Sequence, residues 1–476
     1  MHQALLIDEI LRDIFDECGK GALGVAARTC RAWKDPALDH LWRVLPTVGP
    51  LLALFPQLRY EGKRYVLSSD PTQADITSVS SYARRVRQIV VRSDLALPPV
   101  LHAALSGIFP RVSAIRLAGN AGDSALQLFV SAALSTLDLD TSRGSALQST
   151  LAHLPARCPH LTTLRIRGPI TDDCDAALRA LPDLRTLSLK LGSSLRPAAV
   201  AALARLPHLE SLELLAEHLD VDALPATTSN LFPSLHRLHL RAHAHIAIAF
   251  LDLLPRDALR SLRIDLEDTA LPPETARAVF TAIASAGARS LTALTLEWHR
   301  DGEGELSAAA LAPLRGLARL RQLVLDTRAM PDLADGELEK LAQGWREMEY
   351  LELGSAPLLE PGARAEWACR GTLGSLGVLA RACPRLRVLM LPLDAAKGGE
   401  GGEAAEAEEP APQSSVERLS VWSPTVFQPP AMAGTLKATF TALKAVDGSP
   451  EHENLWAKVR EAMGLLCVQT VMDVCM

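Results

Sequence analysis

The chain has 476 residues, of which 48% are hydrophobic, 22% charged and 4% aromatic, with a formal net charge of -6. That length suits several compact domains or one repeat array, and the mild acidity argues against bulk attraction to nucleic acid or to a membrane surface. No stretch approaches the ~20 unbroken apolar residues that a transmembrane helix needs.

The first residues, Met1-His2-Gln3-Ala4, lack a basic region followed by an apolar core, so no secretory signal is expected. Eight cysteines, at 18, 30, 158, 174, 369, 383, 467 and 475, are scattered without Cys-x-x-Cys spacing. They are expected as reduced thiols, several of them buried, in an intracellular protein of the cytoplasm or nucleus.

In chain order, residues 1–45 form a helical module. Leu6, Ile10, Leu11, Ile14 and Phe15 fall at helical spacing and predict one amphipathic helix. A break at Gly19-Lys20-Gly21 leads to a second helix through Val25, Ala26 and Cys30. A third is expected to follow Asp35-Pro36, with Pro36 in its first turn and Leu38, Leu41 and Trp42 on its apolar side. Three such short helices make a marginal core alone and call for a partner or for the neighbouring repeats. Residues 46–85 read as a transition, broken at Pro46, Pro50 and Pro56 and turned at Ser68-Ser69-Asp70-Pro71.

From 86 to 434 the pattern apolar-x-x-apolar-x-apolar recurs, starting at 86, 112, 134, 161, 184, 209, 235, 259, 291, 320, 348, 386 and 416. Examples are Val86-Ile89-Val91, Leu161-Leu164-Ile166 and Val416-Leu419-Val421. A strand with these offsets buries one side and cannot do so alone, so the copies must stack. Starts lie 22 to 27 residues apart up to 259 and 28 to 38 apart beyond it, which predicts longer connections in the later repeats. Several strands are entered through Pro-x-apolar, as in Pro159-His160-Leu161; the proline ends the preceding Ala-rich helical segment and forces extended backbone. The predicted fold class is α/β: a leucine-rich-repeat solenoid of β–α repeats with a curved parallel sheet, preceded by a three-helix module. Asparagine stands at the ninth repeat position only as Asn120, so no asparagine ladder is expected. Residues 395–415 are acidic and rich in Gly, Ala and Pro, and read as a disordered insertion. Residues 435–476 are expected to close the solenoid with two helices carrying Leu455, Trp456, Val459, Met463 and Leu466.

The residues between the buried ones face the concave side of such a repeat. There the middle repeats place Arg165, Arg167, Lys190, Arg237, His239, Arg241 and Arg263, with Arg92 and Arg116 before them, interleaved with Asp138, Asp140, Glu213 and Asp265. Adjacent arginines suit bidentate capture of carboxylate or phosphate, making these the candidate target-binding residues. His236, His239, His243 and His245 do not read as a metal site, because alternation separates them and no cysteine is near. No catalytic signature such as GxSxG, a Walker loop or HExxH is present, and no cofactor motif.

The N-terminal module resembles an F-box. The matching residues are Leu6-Ile7-Asp8-Glu9-Ile10-Leu11-Arg12-Asp13-Ile14-Phe15, then Thr29-Cys30-Arg31-Ala32-Trp33, then Leu41-Trp42, with Ile7-Asp8 where the family has its proline. Tyr82-Ala83-Arg84-Arg85-Val86-Arg87 is similar to the lead-in to the repeats of fungal F-box proteins with leucine-rich repeats. The resemblance implies a substrate-recognition subunit of a cullin–RING (Skp–cullin–F-box) ubiquitin ligase, not an enzyme itself. It implies a Skp-family adaptor, and through it a cullin, bound by Leu6, Ile7, Ile10, Leu11, Phe15, Trp33, Leu41 and Trp42. The repeats would hold an unknown protein target, acidic or phosphorylated, with no nucleic-acid, membrane or cofactor partner. The alternative is a leucine-rich-repeat interaction scaffold with no ligase role, its N-terminal helices simply capping the repeats.

Overall fold

The computed structural model describes residues 7–465 apart from 63, 93–94, 96, 120–122, 142–150, 152, 169–173, 191–195, 217–218, 223, 225–230, 299–305, 328–330, 355–368, 398–413, 424 and 449–451. Two compact units, residues 1–213 and 214–476, make up the chain. Leu6, Asn120, Leu466 and nearly all of the acidic insertion fall outside the described residues.

The first unit opens with α1 (Asp8–Asp16), α2 (Lys20–Thr29) and α3 (Arg31–Arg43). Helix α3 corrects the expected start at Pro36. It begins at Arg31, directly after the extended Cys30 (φ -156°, ψ 167°), so Pro36 lies inside the helix rather than in its first turn. A proline there removes one helical hydrogen bond; the buried position of Pro36 and Ala37 against the module's core offsets that loss. The chain leaves the module as β1 (Val44–Leu45).

The transition segment is more structured than its prolines suggest. It holds α4 (Gly49–Leu52), an antiparallel hairpin of β2 (Leu58–Glu61) and β3 (Arg64–Leu67), and α5 (Gln73–Ala83). A reciprocal cap starts α5: Thr72 Oγ1 accepts from Asp75 N (3.2 Å) and Asp75 Oδ2 accepts from Thr72 N (2.9 Å). Repeats follow with β4 (Gln88–Val91), α6 (Pro99–Leu105), β5 (Ala114–Gly119), α7 (Asp123–Phe129), β6 (Thr136–Thr141), β7 (Thr163–Arg167), α8 (Cys174–Arg179), β8 (Thr186–Lys190) and α9 (Pro197–Leu203). Strands β1, β4, β5, β6, β7 and β8 pair in that order, all parallel. Strand β9 (Ser211–Leu215) carries the boundary between the units.

The second unit repeats the plan with β10 (Arg237–Ala242), α10 (Ala244–Asp252), β11 (Ser261–Leu266), α11 (Pro273–Gly287), β12 (Ala293–Trp298), α12 (Ala308–Leu311), β13 (Gln322–Thr327), α13 (Asp335–Ala342) and β14 (Tyr350–Leu353). It continues with α14 (Gly374–Ala382), β15 (Val388–Pro392), β16 (Arg418–Trp422), α15 (Pro429–Thr439), β17 (Ala445–Gly448) and α16 (Glu453–Met463). Strands β10 to β17 pair in sequence, again parallel. Each unit is thus a strand–helix solenoid of the leucine-rich-repeat type.

The register explains why the pattern recurs. Leu137, Leu164 and Leu187 are direct neighbours across β6, β7 and β8, as are Leu262, Leu294 and Leu323 across β11, β12 and β13. Every residue of the thirteen apolar triads is at most 3% exposed. At the strand entries one carbonyl serves two amides of the next layer: Arg87 O accepts from Ser113 N (2.8 Å) and Ala114 N (3.0 Å), and Ser113 O from Ser135 N and Thr136 N (both 2.9 Å). Hydroxyls reinforce the step where the missing asparagine ladder would otherwise help, with Ser135 Oγ donating to Ser113 O and Thr162 Oγ1 to Ser135 O, each at 3.1 Å.

The C-terminal end differs from the expected pair of helices. Helix α15 starts earlier, at Pro429, and β17 adds a strand before α16 buries Trp456 and Val459 completely. Gly448 makes this possible: a Cβ there would fall 2.0 Å from Trp456 Nε1.

Candidate functional site

Helix α1 carries apolar residues on two stripes. Leu11 and Phe15, 2% and 4% exposed, form the module's core with Leu23 of α2 and Ala37 of α3. Trp33 and Leu41 pack half-buried against that core, Trp33 meeting Phe15 edge-on at 6.1 Å. Trp42 turns to the transition segment instead, its ring 4.8 Å from that of Tyr82 in α5. Ile7, Ile10 and Ile14 remain on the outside, 46%, 37% and 41% exposed, at i, i+3 and i+7 on one face. Val25 of α2 is 60% exposed as well. So of the candidate adaptor-binding residues that are described, Ile7 and Ile10 lie on the surface, while Leu11, Phe15, Trp33, Leu41 and Trp42 hold the module together or seat it. Ile14 and Val25 are surface residues that the sequence placed on helices but that the adaptor-binding candidates left out. Both were visible as apolar positions, but spacing alone cannot say which of two stripes faces inward.

Charge locks the module to the first repeats. Arg85, beside β4, donates from Nη2 to Asp35 Oδ1 (2.5 Å) and from Nη1 to Asp39 Oδ1 and to Asp35 O (3.2 Å). Asp39 also receives Arg12 Nη2 at 3.3 Å, so one carboxylate joins α1, α3 and the repeat lead-in. Burial alone would lower the Arg85 pKa; its hydrogen bonds to Asp35 and Asp39 outweigh that and raise it.

The candidate target-binding residues sit on the strands as the alternation requires, but most are matched by acids. In the first unit Arg167 lies 3.4 Å from Asp140 and Lys190 Nζ 2.7 Å from Glu213, while Arg116 approaches Asp138 at 3.5 Å. Arg165 is exposed and has no ion pair among the described residues. In the second unit His239 Nε2 lies 2.8 Å from Asp265, and Arg263 reaches both Asp265 (3.1 Å) and Glu297 (2.6 Å). Arg241 pairs with the buried Glu267. Arg237 is exposed without an ion pair among the described residues. Burial would raise the Asp265 pKa, but His239 and Arg263 hold the carboxyl below the usual range. Each unit therefore presents a ladder of paired charges with an unpaired arginine, Arg165 or Arg237, among the candidates of its middle repeats; Arg92, at the start of the first unit's repeats, is also exposed with no ion pair among the described residues. His243 stacks on His245 at 6.0 Å and faces Asp268 at 3.7 Å.

Chemically, the arrangement offers an apolar helix face and ribbons of paired charge, which suit docking. The buried thiols are of a different kind: burial pushes Cys158 and Cys369 up to about 11 and Cys383 up to about 12, far from thiolate chemistry at neutral pH.

No family model matches the chain, and no curated protein matches it in sequence. Among solved structures, it resembles a chain in the crystal structure of the Rad7 and Elc1 complex from yeast. That match is 14% identical and covers 83% of this chain and 88% of the other, with a TM-score of 0.36. A superposition that loose has no bearing on function.

Proposed function

We propose that the chain is a substrate-recognition subunit of a cullin–RING ubiquitin ligase. Its N-terminal helices would bind a Skp-family adaptor and its repeats a protein target. The observation that carries this reading is the outward stripe of Ile7, Ile10 and Ile14 on a module whose core is already filled by Leu11, Phe15 and Leu23. A helix that simply capped the repeats would turn its apolar residues toward them. This one leaves three branched aliphatics in water, at the spacing of a helix that meets a partner groove. The F-box resemblance of the same residues supplies the class of partner.

The role is recruitment: a target held by the repeats gains effective concentration at the ligase's catalytic partner, and this chain performs no bond chemistry. Among the candidates of the middle repeats, Arg165 and Arg237 are the cations free to meet a target carboxylate or phosphate, because the others there must first give up an acid. Charge reversal at these two should weaken target capture several-fold and reduce its salt sensitivity. Charge reversal at Lys190 should instead act through its broken pair with Glu213. The whole proposal is tested by co-purifying the chain from cells with a Skp-type adaptor and a cullin. Both should be recovered with the wild type and lost together in the Ile10→Glu, Ile14→Glu variant. Failure of the wild type to recover an adaptor would leave the scaffold reading.

A further inference from the structure

Where the helical module meets the first repeats there is a cavity of about 440 Å³, lined by Arg12, Arg43, Arg85, Arg87 and Arg111, with Asp39 as its acid. Backbone register brings these cations together. Arg87 N donates to Arg43 O (2.9 Å) and Ser113 N to Arg87 O (2.8 Å), so Arg43, Arg87 and Ser113 hold the same place in successive layers. Adjacent layers are roughly 4.8 Å apart, and like charges at that spacing repel. At the same place in other repeats the chain sets opposite charges side by side: Arg185 with Glu210 (2.5 Å), and Glu417 between Arg387 (3.1 Å) and Lys444 (3.0 Å).

The cavity's own acid does not balance it. Asp39 is already shared by Arg12 and Arg85, and Arg43 touches Asp16 loosely at 3.5 Å. Arg87 and Arg111 are exposed and have no ion pair among the described residues. Three guanidinium groups thus open on one cavity with little compensating charge. Its volume is at the lower end of the range of about 300–1,000 Å³ typical of small-ligand sites, and far more than one phosphate group fills.

We propose that this cavity binds a compact free anion carrying two or more phosphate groups, gripped by Arg43, Arg87 and Arg111. Guanidinium forks match phosphate oxygens two at a time. The anion relieves the repulsion between adjacent layers and ties the end of α3 to the entries of β4 and β5. The site does not depend on the ligase reading, and it is tested on the purified full chain with no partner present.

The experiment is calorimetric titration with inorganic tripolyphosphate, alongside thermal melts. One saturable site is expected, with a Tm that rises with ligand because the anion binds the folded chain. The Arg87→Gln, Arg111→Gln variant should bind at least tenfold more weakly while melting no lower than wild type without ligand, since neither side chain has a partner among the described residues and their loss relieves the repulsion. Arg205→Gln, which removes an exposed cation elsewhere in the same unit, should bind like wild type. Absence of saturable binding at millimolar ligand overturns the proposal, as does equal weakening in Arg205→Gln, which would mark diffuse attraction. Orthophosphate binding as tightly as tripolyphosphate overturns the multi-phosphate assignment.

Discussion

Burial raises the pKa of three acidic side chains in the second unit, yet their net shifts differ in sign because their partners differ. Asp265 is held low by His239 and Arg263 against the cost of burial. A carboxyl whose folded pKa lies below its unfolded value of about 3.9 stabilises the fold above that pH, and the benefit is lost as pH falls through the folded value. Asp394 behaves alike: burial opposes its ionisation, but Thr425, Lys397 and the Ala396 amide hold it low. Denaturant stability should therefore hold steady near neutrality and fall below about pH 4, and Asp265→Asn should flatten part of that fall. Glu352 has the opposite sign. Burial raises its pKa, and nearby Asp326 adds to the rise despite the hydrogen bond from Tyr350 Oη (2.7 Å). Its charge weakens the fold at pH 7, so Glu352→Gln should raise the denaturation midpoint there. The gain should vanish at acid pH, where the wild-type carboxyl is protonated in both states. A second residue-level expectation concerns thiols. In the native chain an aromatic disulfide reagent should modify the half-exposed Cys18 and Cys30 well before the buried Cys158, Cys369 and Cys383. Equal rates would mean that those repeats open readily.

At the scale of elements, the repeats were legible because one physical demand, burial of one strand side, is repeated with fixed offsets in each layer. Helix α1 was legible as a helix but not in its orientation: residues 7, 10, 11, 14 and 15 make two adjacent stripes, and tertiary packing chooses 11 and 15 for the core. The start of α3 was misplaced because a proline favours a first turn, whereas here burial of Pro36 and Ala37 keeps it inside the helix. Strand β17 left no signal, since Ala445–Gly448 is too short to carry the apolar triad. Its place depends on Trp456 lying over Gly448, so Gly448→Ala should cost about 1–3 kcal/mol by overpacking, read as a lower denaturation midpoint. The join between module and repeats depends on Arg85, which Arg85-Val86-Arg87 announced in sequence only as a basic run. Arg85→Ala leaves Asp35 and Asp39 without their shared donor. It should cost about 2 kcal/mol, and proteolysis should then cut earliest near the join.

For the whole molecule, sequence pattern established the architecture of both units, and the residues between the buried ones fell on the strands where alternation put them. Their pairing was not legible, because partners such as Glu267 for Arg241 and Glu297 for Arg263 come from neighbouring layers some 26 to 34 residues on, and only the register brings them together. That pairing turns an apparent basic track into ribbons of near-neutral charge and moves the weight of the functional reading onto the N-terminal helices. There the energetics can be stated. About two-fifths of each of Ile7, Ile10 and Ile14 remains to be covered, so docking should gain about 1 kcal/mol from each. A charge at two of these positions would cost more than the contact it removes. The most direct measurement is a titration of the purified chain with a purified Skp-family adaptor, for wild type and for Ile10→Glu, Ile14→Glu. Saturable one-to-one binding is expected, weakened a hundredfold or more in a variant that melts at the wild-type temperature. No binding by the wild type, or equal binding by both, would contradict the adaptor-docking role of α1.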